Sequence, residues 1–210
     1  MRIVTAGERE DWLLCGKVLE QDARGPKMIL CADGHLLKIF HIRRHPFLAR
    51  LQAPALRFAD NAQRLAGLGV PVPAAIEALW LDRARGISAC RYQPLPGETL
   101  EASFLRAPEG IRARLPELAR FIRMLHRRGI YFRSLHPGNI LLLPDQGFGL
   151  IDFLDLKHGL LPLGPWRIRR NFRHLREAIA RRKLHDFPVE ELWRLYWCAA
   201  DGGPDGKTNK

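Results

Sequence analysis

Asp33-Gly34 is flanked by two short β-rich runs, MILCA over 28–32 and HLLKIF over 35–40. An Asp-Gly dipeptide between strand formers is the preferred centre of a two-residue type I′ turn, so the segment predicts an antiparallel hairpin. A lone hairpin is marginal in water and demands further strands or a helix. The sequence offers both. Residues 17–21 predict a preceding strand, ended by DARGPK with a turn at Gly25-Pro26. A helix is predicted over 55–68, with Phe58, Ala62 and Leu65 near one face and Gly69 at the C′ position. Val70-Pro71-Val72-Pro73 must be extended, because each proline disfavours the helical region for the residue before it. Residues 75–81 and 87–92 then predict two strands around DRARG.

Past QPLPG at 93–97, read as a linker, the pattern turns helical. Pro116 suits a helix start, Leu118, Ile122 and Leu125 form a stripe, and Gly129 stops it. A broken apolar stretch follows over 130–143, then a short apolar run over 148–154 that contains Asp152. Ile168, Phe172, Leu175 and Ile179 mark a basic amphipathic helix. Pro188 opens another, with Val189, Leu192 and Tyr196 facing inward. The predicted class is α+β. Residues 1–93 form an antiparallel sheet with one helix, 94–97 a hinge, and 98–201 a short helical part. The tail at 202–210, with Gly202, Gly203, Pro204 and Gly206, is expected to be disordered.

The net charge is +12, and the basic residues cluster. Residues 167–183 hold eight Lys/Arg against Glu177, and 106–133 hold eight arginines against Glu109 and Glu117. Such faces attract phosphorylated glycans, acidic lipid surfaces or nucleotides, or serve only to keep a protein solvated. Four dispersed cysteines, Cys15, Cys31, Cys90 and Cys198, form no C-x-x-C pair. Three of them lie in apolar contexts and read as buried thiols in a reducing compartment. With no apolar leader and no run of about 18 apolar residues, the expected location is cytoplasmic, with a basic face able to touch the inner membrane peripherally.

Phosphoryl transfer requires a cation on the nucleotide phosphates, oxygen ligands for Mg²⁺ and a group that orients the acceptor hydroxyl. Lys38, Asn139 and Asp152 occur in a suitable order. Each has an ordinary alternative. Lys38 could be a solvating lysine on an edge strand, Asn139 a turn stabiliser, and Asp152 a salt-bridge partner of Arg133. His136 could be a plain loop histidine, and Asp155 a surface residue or a support to its neighbours.

The stretch GIYFRSLHPGNILL, 129–142, resembles the protein-kinase catalytic loop H-R-D-L-x-x-x-N. Arg133 and Asn139 match; Phe132 replaces His and Ser134 replaces Asp. LIDFLD is similar to the D-F-G segment, with Asp152 and Phe153 kept and Leu154 in place of Gly. GHLLKIF resembles the strand carrying the phosphate-binding lysine. RLAGLGVPVP resembles the passage after the regulatory helix in small bacterial sugar and antibiotic kinases. RIRRNFRHL looks most like the lipopolysaccharide core kinases and the related toluene-tolerance proteins. The resemblance lacks a glycine-rich loop, and Phe58 stands where a helix glutamate would be expected. It implies a bilobal protein-kinase-like fold with ATP and Mg²⁺ as cofactors. The acceptor would be a sugar hydroxyl of an anionic glycan or glycolipid. By that resemblance Lys38 meets the phosphates, Asn139 and Asp152 hold magnesium, and His136 lies beside the phosphates. Ser134 would orient the acceptor, with Arg133 as a structural link. Only residues 156–166 separate the metal-binding segment from the next helix, which leaves no platform for a peptide. The alternative is a pseudokinase that regulates envelope biogenesis. A nucleic-acid binder is disfavoured, because no reader motif or stacking pattern appears.

Overall fold

The computed structural model describes residues 1–41, 52–145 and 147–198. The chain is α+β and divides into two compact units, Met1–Pro96 and Gly97–Lys210. The tail at 202–210 lies outside the described residues.

The first unit contains β1 (Arg2–Ile3), α1 (Ala6–Cys15), β2 (Lys17–Asp22), β3 (Gly25–Leu30), β4 (Leu36–Phe40), α2 (Pro54–Gly67), β5 (Ala74–Asp82) and β6 (Ile87–Gln93). Its sheet runs β1-β5-β6-β4-β3-β2. The sheet is mixed rather than antiparallel throughout, because β1 pairs parallel to β5. Period-two alternation sorts β4 and β6 into two faces. Leu37, Ile39 and Ala89 join Ile29 and Cys31 in a core cluster that Trp12 of α1 packs against. On the opposite face Phe40 and Tyr92 each lie 5.8 Å from the Phe58 ring of α2.

Two turn expectations are corrected. The β3–β4 connection is not a type I′ turn, which needs positive φ at both central residues. Asp33 has no positive φ; Gly34 alone carries it (φ +80°). The Gly34 N–H donates to Cys31 O and the Cys31 N–H to His35 O, closing a three-residue loop. Gly25-Pro26 is not a turn: Gly25 already pairs with Asp22, so Ala23-Arg24 makes the connection. The C-terminus of α2 follows the expectation. Gly69 (φ +67°) donates to Ala66 O and Val70 to Leu65 O, the double bond of a Schellman cap. Helix α1 was not anticipated, although Thr5-x-x-Glu8 forms a reciprocal capping box at its start. The cysteine expectation is also corrected: Cys31 and Cys90 are buried, whereas Cys15 and Cys198 are exposed.

The second unit contains β7 (Glu98–Thr99), α3 (Leu100–Arg106), α4 (Pro108–Arg112), α5 (Leu115–Arg127), β8 (Ile130–Phe132), β9 (Ile140–Leu142), β10 (Phe148–Leu150), β11 (Leu156–His158), α6 (Pro165–Arg181) and α7 (Val189–Cys198). A 3-10 turn, Pro137–Asn139, precedes β9. Short strands therefore interleave with the expected helices. They make a three-stranded sheet β10-β9-β7 and a β11-β8 pair. The predicted stripes are buried: Leu118, Ile122 and Leu125 on α5, and Ile168, Phe172, Leu175 and Ile179 on α6. Phe172 stacks edge-on against Trp193 and Tyr196 of α7, joining the two last helices. Gly97 (φ +136°) abuts β9, and a Cβ there would sit 2.5 Å from Leu142 O.

Candidate functional site

The β8–β11 ladder builds the site in the second unit. Leu156 pairs with Phe132, and the chain runs on past that pair on both strands. One step further, Arg133-Ser134 on one side faces Asp155 on the other. Ser134 Oγ donates a 2.6 Å hydrogen bond to Asp155 Oδ2. Asp155 Oδ1 is buried and has no hydrogen-bond partner outside its own residue. Burial pushes the Asp155 carboxyl above the ordinary carboxylate value. The Ser134 bond opposes the rise, the Asp152 charge adds to it, and Arg133 weakly opposes it.

The loop between β8 and β9 is cross-tied. Asn139 Nδ2 donates to Ser134 O at 3.0 Å, and the Ile151 N–H donates to Asn139 O at 3.0 Å. The first bond fixes the carboxamide and directs its Oδ1 away from the loop carbonyl. The second joins the loop to the segment after β10. Strand β10 ends at Leu150, so Asp152 is not a buried strand residue as expected; it is exposed and left-handed (φ +52°). A non-glycine residue in that region is uncommon and costs of order 1 kcal/mol. Arg133 is exposed in the turn after β8.

His136 caps the 3-10 turn, its Nδ1 accepting from the Gly138 N–H at 3.2 Å. Burial, helped by the Arg182 charge, lowers its pKa to about 4, so it is neutral at pH 7. It can offer phosphate a hydrogen bond but not a positive charge. The Arg182–Glu101 ion pair, 2.5 Å, lies over this turn, and a Cβ on Gly138 would meet both side chains.

A buried polar chain supports the loop from beneath. Asn171 Nδ2 donates to Phe132 O at 2.7 Å, and Asn171 Oδ1 lies 2.9 Å from His126 Nε2. Because Oδ1 can only accept, Nε2 carries the proton, and Nδ1 accepts from the Tyr196 hydroxyl at 3.0 Å. His126 is thus neutral, and burial lowers its pKa to about 4.

Lys38 belongs to the first unit. Strand β4 lies between β3 and β6, so Lys38 is on an interior strand and not an edge. It pairs with Cys90 and is half-buried on the α2 face. Its Nζ lies 5.9 Å from the Phe58 ring centroid, within cation–π range. On α2, Asp60 is exposed while Asn61 is buried.

Among the described residues no group of three or more His, Cys, Asp or Glu could hold a metal ion. Magnesium does not need one, since it is commonly bound by one or two protein oxygens with substrate phosphates and water. The Asn139 carboxamide oxygen and the exposed Asp152 carboxylate are donors of that kind. Among the described residues no helix is long and apolar enough to cross a membrane.

The chain matches no family model and no curated protein.

The side chains themselves therefore carry the functional reading. Of the two readings the sequence leaves open for Asp155, the support to its neighbours is the one its bond to Ser134 matches; nothing in the sequence singles out Asn171. A signal existed for His126, four residues after Ile122 on the buried stripe of α5. For Asp155 the only signal was its place at the end of LIDFLD, beside the apolar Leu156.

Proposed function

We propose that the protein is an ATP- and Mg²⁺-dependent phosphotransferase of protein-kinase-like bilobal fold. Its acceptor would be a sugar hydroxyl of an anionic glycan such as lipopolysaccharide core. The observation that carries this reading is the 2.6 Å bond from Ser134 to the half-buried Asp155. A serine alone cannot accept a proton at neutral pH. A serine hydrogen-bonded to a carboxylate whose pKa burial raises above the ordinary value can relay one.

In this reading the acceptor hydroxyl passes its proton to Ser134 Oγ while Ser134 passes its own to Asp155. The acceptor oxygen forms its bond to the γ-phosphorus as the bond to the ADP oxygen breaks. Lys38 takes the phosphate-binding role, and Asn139 and Asp152 supply the magnesium ligands. Bound magnesium would neutralise charge on the nucleotide phosphates. His136, neutral, would donate to a phosphate oxygen. A serine at position 134, where a protein-kinase-like loop carries a carboxylate base, favours a second reading, a nucleotide-binding pseudokinase.

The test uses the full chain with magnesium and γ-labelled ATP, offered deacylated core oligosaccharide. The expected result is label transfer to the glycan and a magnesium-dependent rise in melting temperature with nucleotide. A melting rise without transfer supports the pseudokinase. Neither effect at millimolar nucleotide removes both readings.

A further inference from the structure

The loop between β11 and α6 projects an apolar tip. Leu160 is fully exposed (104%), Leu161 is 77% exposed and Trp166 is 67% exposed. This loop is not left to wander. The Gly159 N–H donates to Gly129 O at 2.9 Å, and the Leu163 N–H donates to His126 O at 2.9 Å. Gly129 (φ +72°) is the clasp: a Cβ there would lie 2.4 Å from Gly159 O and 2.7 Å from Leu161 O. The backbone is held against the end of α5 while the two leucine side chains point to solvent. Burying them in the molecule would gain apolar stabilisation, so their fixed exposure calls for an outside partner.

The surroundings are cationic. From Leu156 to Arg176 the sequence has six Lys/Arg and no acid. Arg167 lines the same open depression as Leu160 and Leu161. The guanidinium of Arg170 lies 5.3 Å from the Trp166 ring centroid. Arg127 and Arg128, exposed, immediately precede the Gly129 clasp. Among the described residues Arg167, Arg169 and Arg170 form no ion pair with a carboxylate, whereas Arg176 is held by Glu190. Aliphatic side chains at the tip, an exposed indole in the first turn of α6 and arginines without a carboxylate partner match a bilayer boundary: acyl chains, headgroup level and anionic phosphates in turn. Nucleic acid would use the arginines but not the leucines.

We infer that the tip formed by Leu160, Leu161 and Trp166, ringed by Arg167 and Arg170, docks the protein on a bilayer rich in anionic phospholipid. This surface is independent of phosphoryl transfer, since docking needs no nucleotide.

Flotation of the full chain with phosphatidylglycerol-containing vesicles, and with phosphatidylcholine vesicles as reference, tests it. Preferential binding to the anionic vesicles is expected. L160S/L161S should weaken binding about tenfold or more. R167Q and R170Q should each weaken it roughly fivefold, with a steep dependence on salt. A vesicle-induced blue shift of tryptophan emission should vanish in W166F. The sites are on the surface, so unchanged melting temperatures verify folding. Three results would overturn the inference: equal binding to neutral vesicles, anionic binding untouched by L160S/L161S, or a dimer in solution that L160S/L161S dissolves without any vesicle binding.

Discussion

In the proposed phosphotransferase Lys38 and Ser134 carry different parts of the chemistry, and their surroundings differ. Around Ser134 a carboxylate is present, brought from 21 residues downstream by the β8–β11 ladder. Beside Lys38, α2 places the buried ring of Phe58, its centroid 5.9 Å from the amine. Ser134 is held by a directional hydrogen bond; the Lys38 amine lies over an aromatic ring. A hydrogen bond to a buried charge fixes an atom's position and its proton. An aromatic face holds a cation weakly and leaves its direction loose. Chemistry that depends on proton position is therefore expected to reside at Ser134, and simple charge attraction at Lys38.

The largest expected effect breaks the first half of that contrast. Asp155→Asn should lower glycan phosphorylation by roughly 10²–10⁴, measured as label transfer under single-turnover conditions. Its thermal stability should hold or rise at neutral pH. The native pKa of Asp155 is raised, so ionising it costs stability as pH climbs through that value, and the amide removes this cost. A variant with full transfer activity would remove Asp155 from the relay.

Packing at the other site is tested by Phe58→Ala, expected to lose about 3–5 kcal/mol in urea unfolding because Phe40, Tyr92 and Lys38 all face the ring. A loss under about 1 kcal/mol would mean that the aromatic cluster does not organise this face.

Acid should loosen the Ser134 site's support. His126 has a native pKa near 4 against an ordinary 6.5. Its contribution is complete above pH 6.5 and is lost as pH falls toward 4, on the order of 3 kcal/mol. His136 shifts in the same direction. Denaturant midpoints measured from pH 7.5 to 4.5 should fall in the wild type and fall less steeply in His126→Gln. Equal slopes would contradict the buried neutral imidazole.

Lys38→Met keeps an apolar chain of similar length over Phe58 and removes the charge, and is expected to change stability less than Phe58→Ala in the same urea unfolding. Its nucleotide-dependent melting shift should disappear. A retained shift would strip Lys38 of its phosphate role and leave the packing contrast without functional meaning.

The hairpins, the α2 cap at Gly69 and the buried stripes of α5 and α6 were legible along the chain, because each depends on residues within a turn or two of one another. The register of the Asp33-Gly34 loop was misjudged: dipeptide preference does not determine which residue takes positive φ. Helix α1 escaped although its capping box was in plain sight, since its burial pattern is weak and no residue of it is buried. The Ser134 position could be found as an oddity in an apolar stretch. Its partner could not, because β8 and β11 pair across more than twenty intervening residues.

By itself the sequence determined the longer strands of the first unit, the helices α2, α5, α6 and α7, and where the cations gather. These follow from local propensity, periodicity and charge, all short-range, whereas the roles of Lys38, Ser134, Asn139 and Asp152 rest on a resemblance to protein-kinase motifs. Tertiary structure alone decided that Asp155 is half-buried against Ser134, that Phe58 faces Lys38, and that two leucines beside Gly129 stay in solvent. Each is a meeting of distant residues imposed by ladder register and backbone clearance, which no local preference encodes.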